Sequence, residues 1–221
     1  IDRTNMALTN SLSNTVITKF HTAKLTNLTV SNSYSGAFTT RDNFRNLTEI
    51  NDMRDDVGAD LVMGIITDDF YFCGIAYVQS KPGCDANSQG TCGVGTLFNP
   101  YAYALVSYDC QIDNDAFVHE LGHLLGGNHV RNTTELTQDW IDDVSINYPY
   151  AFARKLGSFT SIMSADFSTR RLNFSNPDVT VNGIATGVEG FSDNHRIFED
   201  FSTVMSGFRT RPDLIFHDDF E

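Results

Sequence analysis

A mixed α/β fold with a smaller, irregular C-terminal part is what this chain predicts, and three observations carry that expectation. Between Arg41 and Val57 the apolar residues Phe44, Leu47, Ile50, Met53 and Val57 recur every three or four positions, the period of an amphipathic helix. Gly58 suits its end. Leu61 to Thr67 is then an almost continuous apolar run, the pattern of a strand buried on both faces beside a parallel neighbour. A further helix, with Phe117, Val118, Leu121, Leu124 and Leu125 as its apolar face, carries two histidines four residues apart and stops at Gly126-Gly127.

The remaining elements follow in chain order. Ile1, Met6, Leu8 and Leu12 predict a helix from Ile1 to about Ser13. Val16 to Val30, apolar residues interleaved with Thr, reads as a long strand bent near His21. With the helix and the run to Thr67 it makes a βαβ unit. Gly74 to Val78 and Ala102 to Tyr108 are short strands separated by the loop Gln79 to Pro100, with turn signals at Pro82-Gly83 and Gln89-Gly90. Asp113-Asn114-Asp115 suits the start of the histidine-bearing helix. Beyond His129 the pattern weakens to a short helix around Leu136 to Val144 and another from Phe198 to Phe208. The sequence divides into one domain over residues 1–210, with an upper part to about 126 and a lower part from about 127, and a tail over 211–221.

Composition narrows the partners. The 221 residues carry 28 acidic and 15 basic side chains, a net charge of −13, which argues against nucleic acid or an anionic membrane. No apolar run is long enough to span a bilayer. The start at Ile1, without an initiator Met, is read as a processed chain from which a leader and an N-terminal propeptide were removed. A monomer is expected. Cys73, Cys84, Cys92 and Cys110 are even in number and form no Cys-x-x-Cys pair, so disulfides in an oxidising, extracellular compartment are expected rather than a structural metal. Cys73 precedes one strand and Cys110 follows another, which suggests Cys73–Cys110 and Cys84–Cys92.

The chemistry sits in His119-Glu120-Leu121-Gly122-His123-Leu124-Leu125-Gly126-Gly127-Asn128-His129. Histidines four apart on a helix project from one face and can grip one zinc ion. Glu120 beside them can take a proton from water. A catalytic zinc needs a third protein ligand and an open position, and His129 reaches the ion only if the chain reverses. Gly126, free to take positive φ, permits that reversal. A purely structural site would more usually close with four ligands, often Cys. Two alternatives stay open: a zinc hydrolase of a small amide or ester, and a non-catalytic binding or toxin protein that keeps the site. Arg154 and Lys155 are candidate pocket residues for the side chain after a cleaved bond, and Asp/Asn-rich loops leave room for Ca2+ without a full EF-hand pattern. Sequons begin at Asn27, Asn46, Asn132 and Asn173.

His-Glu-x-x-His-x-x-Gly-x-x-His followed by Ser161-Ile162-Met163-Ser164 resembles the motif and Met-turn of the metzincin zinc peptidases. The flanking segments 54–62, 73–77 and 174–177, with Gly183 and Gly187, look most like reprolysin-like (adamalysin-like) bacterial members. Val130 stands where reprolysins usually carry Asp, and Ala165 where astacins and serralysins carry Tyr. The resemblance implies a metzincin fold, a twisted mixed sheet above a cleft with the lower part after Gly126. It also implies Met163 as a hydrophobic floor under the imidazoles, and a secreted zinc endopeptidase acting on protein or peptide substrates. By the same resemblance Ala165 leaves no tyrosine to join the metal.

Overall fold

The structure is a computed structural model and describes residues 1–15, 17, 27–80, 95–131, 136–166 and 169–209. Helix α1 (Asp2–Asn10) leads to α2 (Tyr34–Asn46) and α3 (Thr48–Asp56), then strands β1 (Val62–Ile66) and β2 (Gly74–Ala76). A 3-10 segment, Gly95–Tyr101, precedes β3 (Tyr103–Ser107), α4 (Tyr108–Asn114) and α5 (Ala116–Leu124). The rest comprises β4 (Asn128–Val130), α6 (Gln138–Asn147), β5 (Phe152–Ala153), β6 (Lys155–Leu156), β7 (Phe159–Thr160), β8 (Thr180–Val181), β9 (Ile184–Ala185) and α7 (Asn194–Met205).

Among the described residues the main sheet has the order β1-β3-β2, with β1 parallel and β2 antiparallel to β3. The mixed sheet was expected. The strand buried on both faces is, however, β3 and not β1: Tyr103, Ala104, Leu105 and Val106 are at most 1% exposed, whereas Ile65 of β1 is 52% exposed. The reason is position in the sheet, because β1 lies at its margin among the described residues and β3 lies between two neighbours. Tyr103 faces α2 and α3, its hydroxyl donating to Asn51 Oδ1 at 2.7 Å and its ring 6.2 Å from Phe44. Helix α5 packs against β3 and β2.

The single helix expected over Arg41 to Val57 is two helices. Leu47 is extended (φ −65°, ψ 117°) and both ends α2 and opens α3. Asn51 holds the break: its amide donates at 2.7 Å to the Arg45 carbonyl, which a continuous helix would satisfy itself, and at 2.9 Å to the Leu47 carbonyl, which also accepts from the Ile50 and Asn51 amides. Helix α4 was not expected. Asp115, the residue before α5, makes no side-chain cap; it takes φ 52° and pairs with Arg3 of α1. Residues 27–30 of the expected first strand are irregular, and residues 16 and 18–26 lie outside the described part.

The core crosses the boundary placed at residue 126. Phe174 and Phe198 meet ring to ring at 4.6 Å, and both belong to one buried cluster with Leu121, Leu124 and Leu125 of α5. Gly126 is a hinge of that packing. Its φ of +98° is a left-handed conformation, and a Cβ there would stand 2.8 Å from Phe201 and 2.9 Å from Ile197 of α7. Gly126→Ala should therefore lower the melting temperature by roughly 5–15 °C, from backbone strain plus overpacking. A melting curve shifted by no more than about a degree would show that the turn does not need glycine. Among the sequons Asn27 and Asn46 are exposed, whereas Asn173 is buried and donates to the Phe174 carbonyl; Asn132 lies outside the described residues.

Candidate metal centre

Helix α5 begins one residue after β3–α4 has brought the chain to the end of the sheet, so its first turns run beside the margin strand β2. His119 and His123 project from one side of it, with ring centroids 4.8 Å apart. The chain then turns at Gly126, where the amide of Gly127 donates to the Gly122 carbonyl at 2.8 Å. That return places His129, at the centre of β4, against the same point. His119 Nε2 and His123 Nε2 lie 3.0 and 3.1 Å from His129 Nε2.

The opposite ring nitrogens decide what this convergence means. His119 Nδ1 lies 2.9 Å from the Ile162 carbonyl, and His123 Nδ1 lies 2.8 Å from the Gly127 carbonyl. A carbonyl accepts only, so both Nδ1 atoms carry the proton and both Nε2 atoms offer lone pairs. Arg170 Nη2 is also 2.9 Å from His119 Nδ1, but one ring nitrogen does not donate to Ile162 and accept from Arg170 at once. The donation to Ile162 is the assignment that agrees with three converging Nε2 atoms. His129 can supply at most one N–H to two facing lone pairs, and its own buried Nδ1 has no hydrogen-bond partner among the described residues. A cation at the shared point resolves the conflict. The spacings approach the edge of roughly 3.3 Å that tetrahedral bonds of about 2.0–2.1 Å to zinc would give. Three imidazoles suit zinc, and the donor set fits one ion.

Burial keeps these rings neutral. His119 and His123 are held well below the usual histidine range, and His129 falls to about 4, in each case first because of burial; Arg170 comes next for His119 and His129, whereas for His123 the neighbouring His129 comes before Arg170. Burial pushes the Glu120 carboxyl up to about 8, against the pull of Arg170 and Arg41. Glu120 is 5% exposed, and its side chain lies flat on Gly74 of β2; a Cβ on Gly74 would fall inside it.

Met163 is fully buried, with its sulfur against α5 at Gly122, next to His123 in sequence. Its neighbour Ile162 supplies the carbonyl that orients His119. Cys73 and Cys110 are joined, the pairing expected, which ties the approach to β2 to α4; Cys84, Cys92 and the tail 211–221 lie outside the described residues. Arg154 Nη1 donates to the Ala185 and Gly187 carbonyls, each at 2.6 Å, and so holds the β8–β9 region. Lys155 is largely exposed, 3.9 Å from Asp166. Tyr150 donates to Asp200, and Tyr148 packs on Phe201. Among the described residues the three histidines are the one group of three or more His, Cys, Asp or Glu side chains whose ligand atoms converge.

Sequence reasoning missed Arg170. It lies 51 residues from His119 in a segment without a motif, and no periodicity singled it out. The orienting carbonyls of Ile162 and Gly127 were equally invisible, since any residue type supplies a carbonyl.

The chain matches known proteins over much of its length. Residues 1–130 match the model of the reprolysin-like metallopeptidases of family M12B. A peptidyl-Asp metalloendopeptidase of Stenotrophomonas maltophilia (strain R551-3) is 29% identical over 191 residues, covering 82% of this chain and 41% of that protein. One of Xanthomonas campestris pv. campestris is 28% identical over 130 residues, covering 56% and 29%. The chain thus spans about two fifths, or less, of these relatives' length. A solved structure described as a chaperone-substrate complex superposes with a TM-score of 0.63 at 16% identity, over 96% of this chain and 30% of that one. That likeness bears on the fold alone.

Proposed function

Because the chain belongs to the reprolysin-like metallopeptidases of family M12B, we propose that it hydrolyses peptide bonds within proteins, with His119, His123 and His129 holding one zinc ion. The single observation that carries this reading is the meeting of three Nε2 atoms beside a buried carboxylate. When bound, zinc supplies a Lewis acid that polarises a carbonyl and lowers the pKa of water. Glu120 is the general base: it accepts the water proton and then delivers it to the leaving amine. Its side chain lies against Gly74 of β2, and it follows His119 directly on α5. Strand β2 pairs with β3 on one side, and its other side, which pairs with no strand among the described residues, can take an extended peptide backbone. Ile162 and Gly127 hold two imidazoles in the ligating tautomer.

The relatives named for peptidyl-Asp bonds motivate an aspartate beside the cleaved bond as the preferred substrate feature. Secretion is part of the same reading, supported by the Cys73–Cys110 disulfide and the acidic surface. So is synthesis with an N-terminal propeptide, which would keep the hydrolase latent until removal, and action as a monomer. Digestion of a peptide library by the purified chain, with products mapped by mass spectrometry, tests the activity. Cleavage that a zinc chelator abolishes and added zinc restores is expected. Cleavage indifferent to the chelator, or hydrolysis of small esters and amides but of no peptide, would refute it.

A further inference from the structure

We propose that Arg170 is the specificity-determining cation of this site, selecting a peptide with the short carboxylate of aspartate beside the cleaved bond over its neutral isostere asparagine. This deepens the hydrolase reading and rests on it.

The guanidinium is fixed by backbone. Arg170 Nε donates to the Ser164 carbonyl at 2.7 Å, in the turn that carries Met163, and Nη1 donates to the Asn114 carbonyl at 2.8 Å, at the end of α4. Residue 170 is itself held by a parallel bridge to Thr160. Two carbonyls from separate parts of the chain thus set the plane of the group, and Nη2 comes to rest 2.9 Å from the His119 ring. A guanidinium has five N–H groups in a rigid fork, enough to serve backbone carbonyls and a carboxylate together. Arg170 remains partly exposed.

The other cations nearby face elsewhere. Arg41 is 2% exposed, donates to the Ala76 carbonyl and Asp42, and lies 3.7 Å from the centre of the Tyr77 ring, so it serves the fold. Arg154 is lodged on the Ala185 and Gly187 carbonyls, and Lys155 lies by Asp166. Among the described residues Arg170 is the cation within hydrogen-bond distance of a histidine of the cluster, and its field reaches His119, Glu120, His123 and His129.

Reach argues for aspartate. Bond lengths place the carboxylate of an aspartate next to the scissile bond roughly 4–6 Å from the carbonyl under attack. Arg170 Nη2 lies 2.9 Å from His119 Nδ1, with the imidazole ring between it and the shared Nε2 point, a separation of the same order. A glutamate carries its charge one methylene further, past a group that its two carbonyl anchors hold in place. The rest of the chain, at −13, repels an acidic peptide. A fixed cation at the reacting centre is then what makes such a peptide the favoured one.

The test uses the full chain and four internally quenched peptides that differ only in Asp, Asn, Glu or Ala beside the cleaved bond. The wild type should prefer Asp to Asn by about a hundredfold or more in kcat/KM, since a site built around a charged hydrogen bond rejects the analogue that lacks the charge. In Arg170→Gln that ratio should fall to within a few fold of unity, with zinc content unchanged, and Arg170→Lys should restore part of it. A wild type that cleaves the Asp and Asn peptides equally would overturn the proposal without any variant. So would an Arg170→Gln protein whose rates fall in parallel on all four peptides, because that is the signature of positioning His119 alone. If the wild type shows no chelator-sensitive cleavage of any peptide, the hydrolase reading fails and this inference falls with it; equal cleavage of all four overturns only the assignment of Arg170.

Discussion

Glu120→Gln should lower kcat by about 10²–10⁴-fold while zinc stays near one per chain. The substitution keeps the shape and the volume of the side chain. It removes the lone-pair basicity that proton transfer needs. Glu120 is not among the three side chains whose ligand atoms converge; its carboxylate rests on Gly74 at the margin strand. The same position explains why burial raises its pKa towards 8, since the group has little water around it and the charged form is the one that suffers. A glutamine in that place is neutral and leaves the histidines alone. Metal analysis alongside peptide hydrolysis separates the two roles. Zinc lost together with activity would mean that Glu120 is a ligand or a support for one, and the assignment as base would fall.

His123→Ala should show the reverse pattern, with zinc and activity lost together. Its Nε2 lies 3.1 Å from that of His129, and its Nδ1 is anchored on the Gly127 carbonyl at 2.8 Å. Without it two imidazoles remain, and these hold zinc poorly. The loss is also visible in stability. An ion present at a thousand times its dissociation constant stabilises the folded state by about 4 kcal/mol, so wild-type protein should melt higher with zinc than with chelator. In His123→Ala the two curves should coincide. Stoichiometric zinc retained after dialysis would show that another set of ligands is in use.

The two variants read different parts of the same helix. Positions 119, 120 and 123 come from about 1.1 turns of α5, yet one of them points its side chain at the sheet and two at β4. That division follows from helical geometry, in which residues one apart diverge by about 100° and residues four apart nearly coincide.

Much of the centre was therefore legible before any tertiary contact was known. The spacing of His119 and His123, the glycine that ends the helix, and the position of His129 beyond it are local covalent facts; helical periodicity and the left-handed freedom of Gly126 turn them into geometry. The mixed sheet was legible for the same reason, because apolar runs of strand length announce themselves. The partner of Cys73 could be inferred as Cys110, since each was read as flanking a strand. What tertiary structure alone decided depends on contacts between residues far apart in the chain. Whether β1 or β3 would lie at the centre of the sheet is set by which strands neighbour it. Leu47 breaks the long helix where the Asn51 side-chain amide takes the Arg45 carbonyl. Above all, Arg170 reaches His119 across 51 residues because the Ser164 and Asn114 carbonyls hold it there. Periodicity reports the direction of a side chain from its own element, but a carbonyl pair carries no sequence signature, and the place where it sets a charge is decided only when the whole chain has packed.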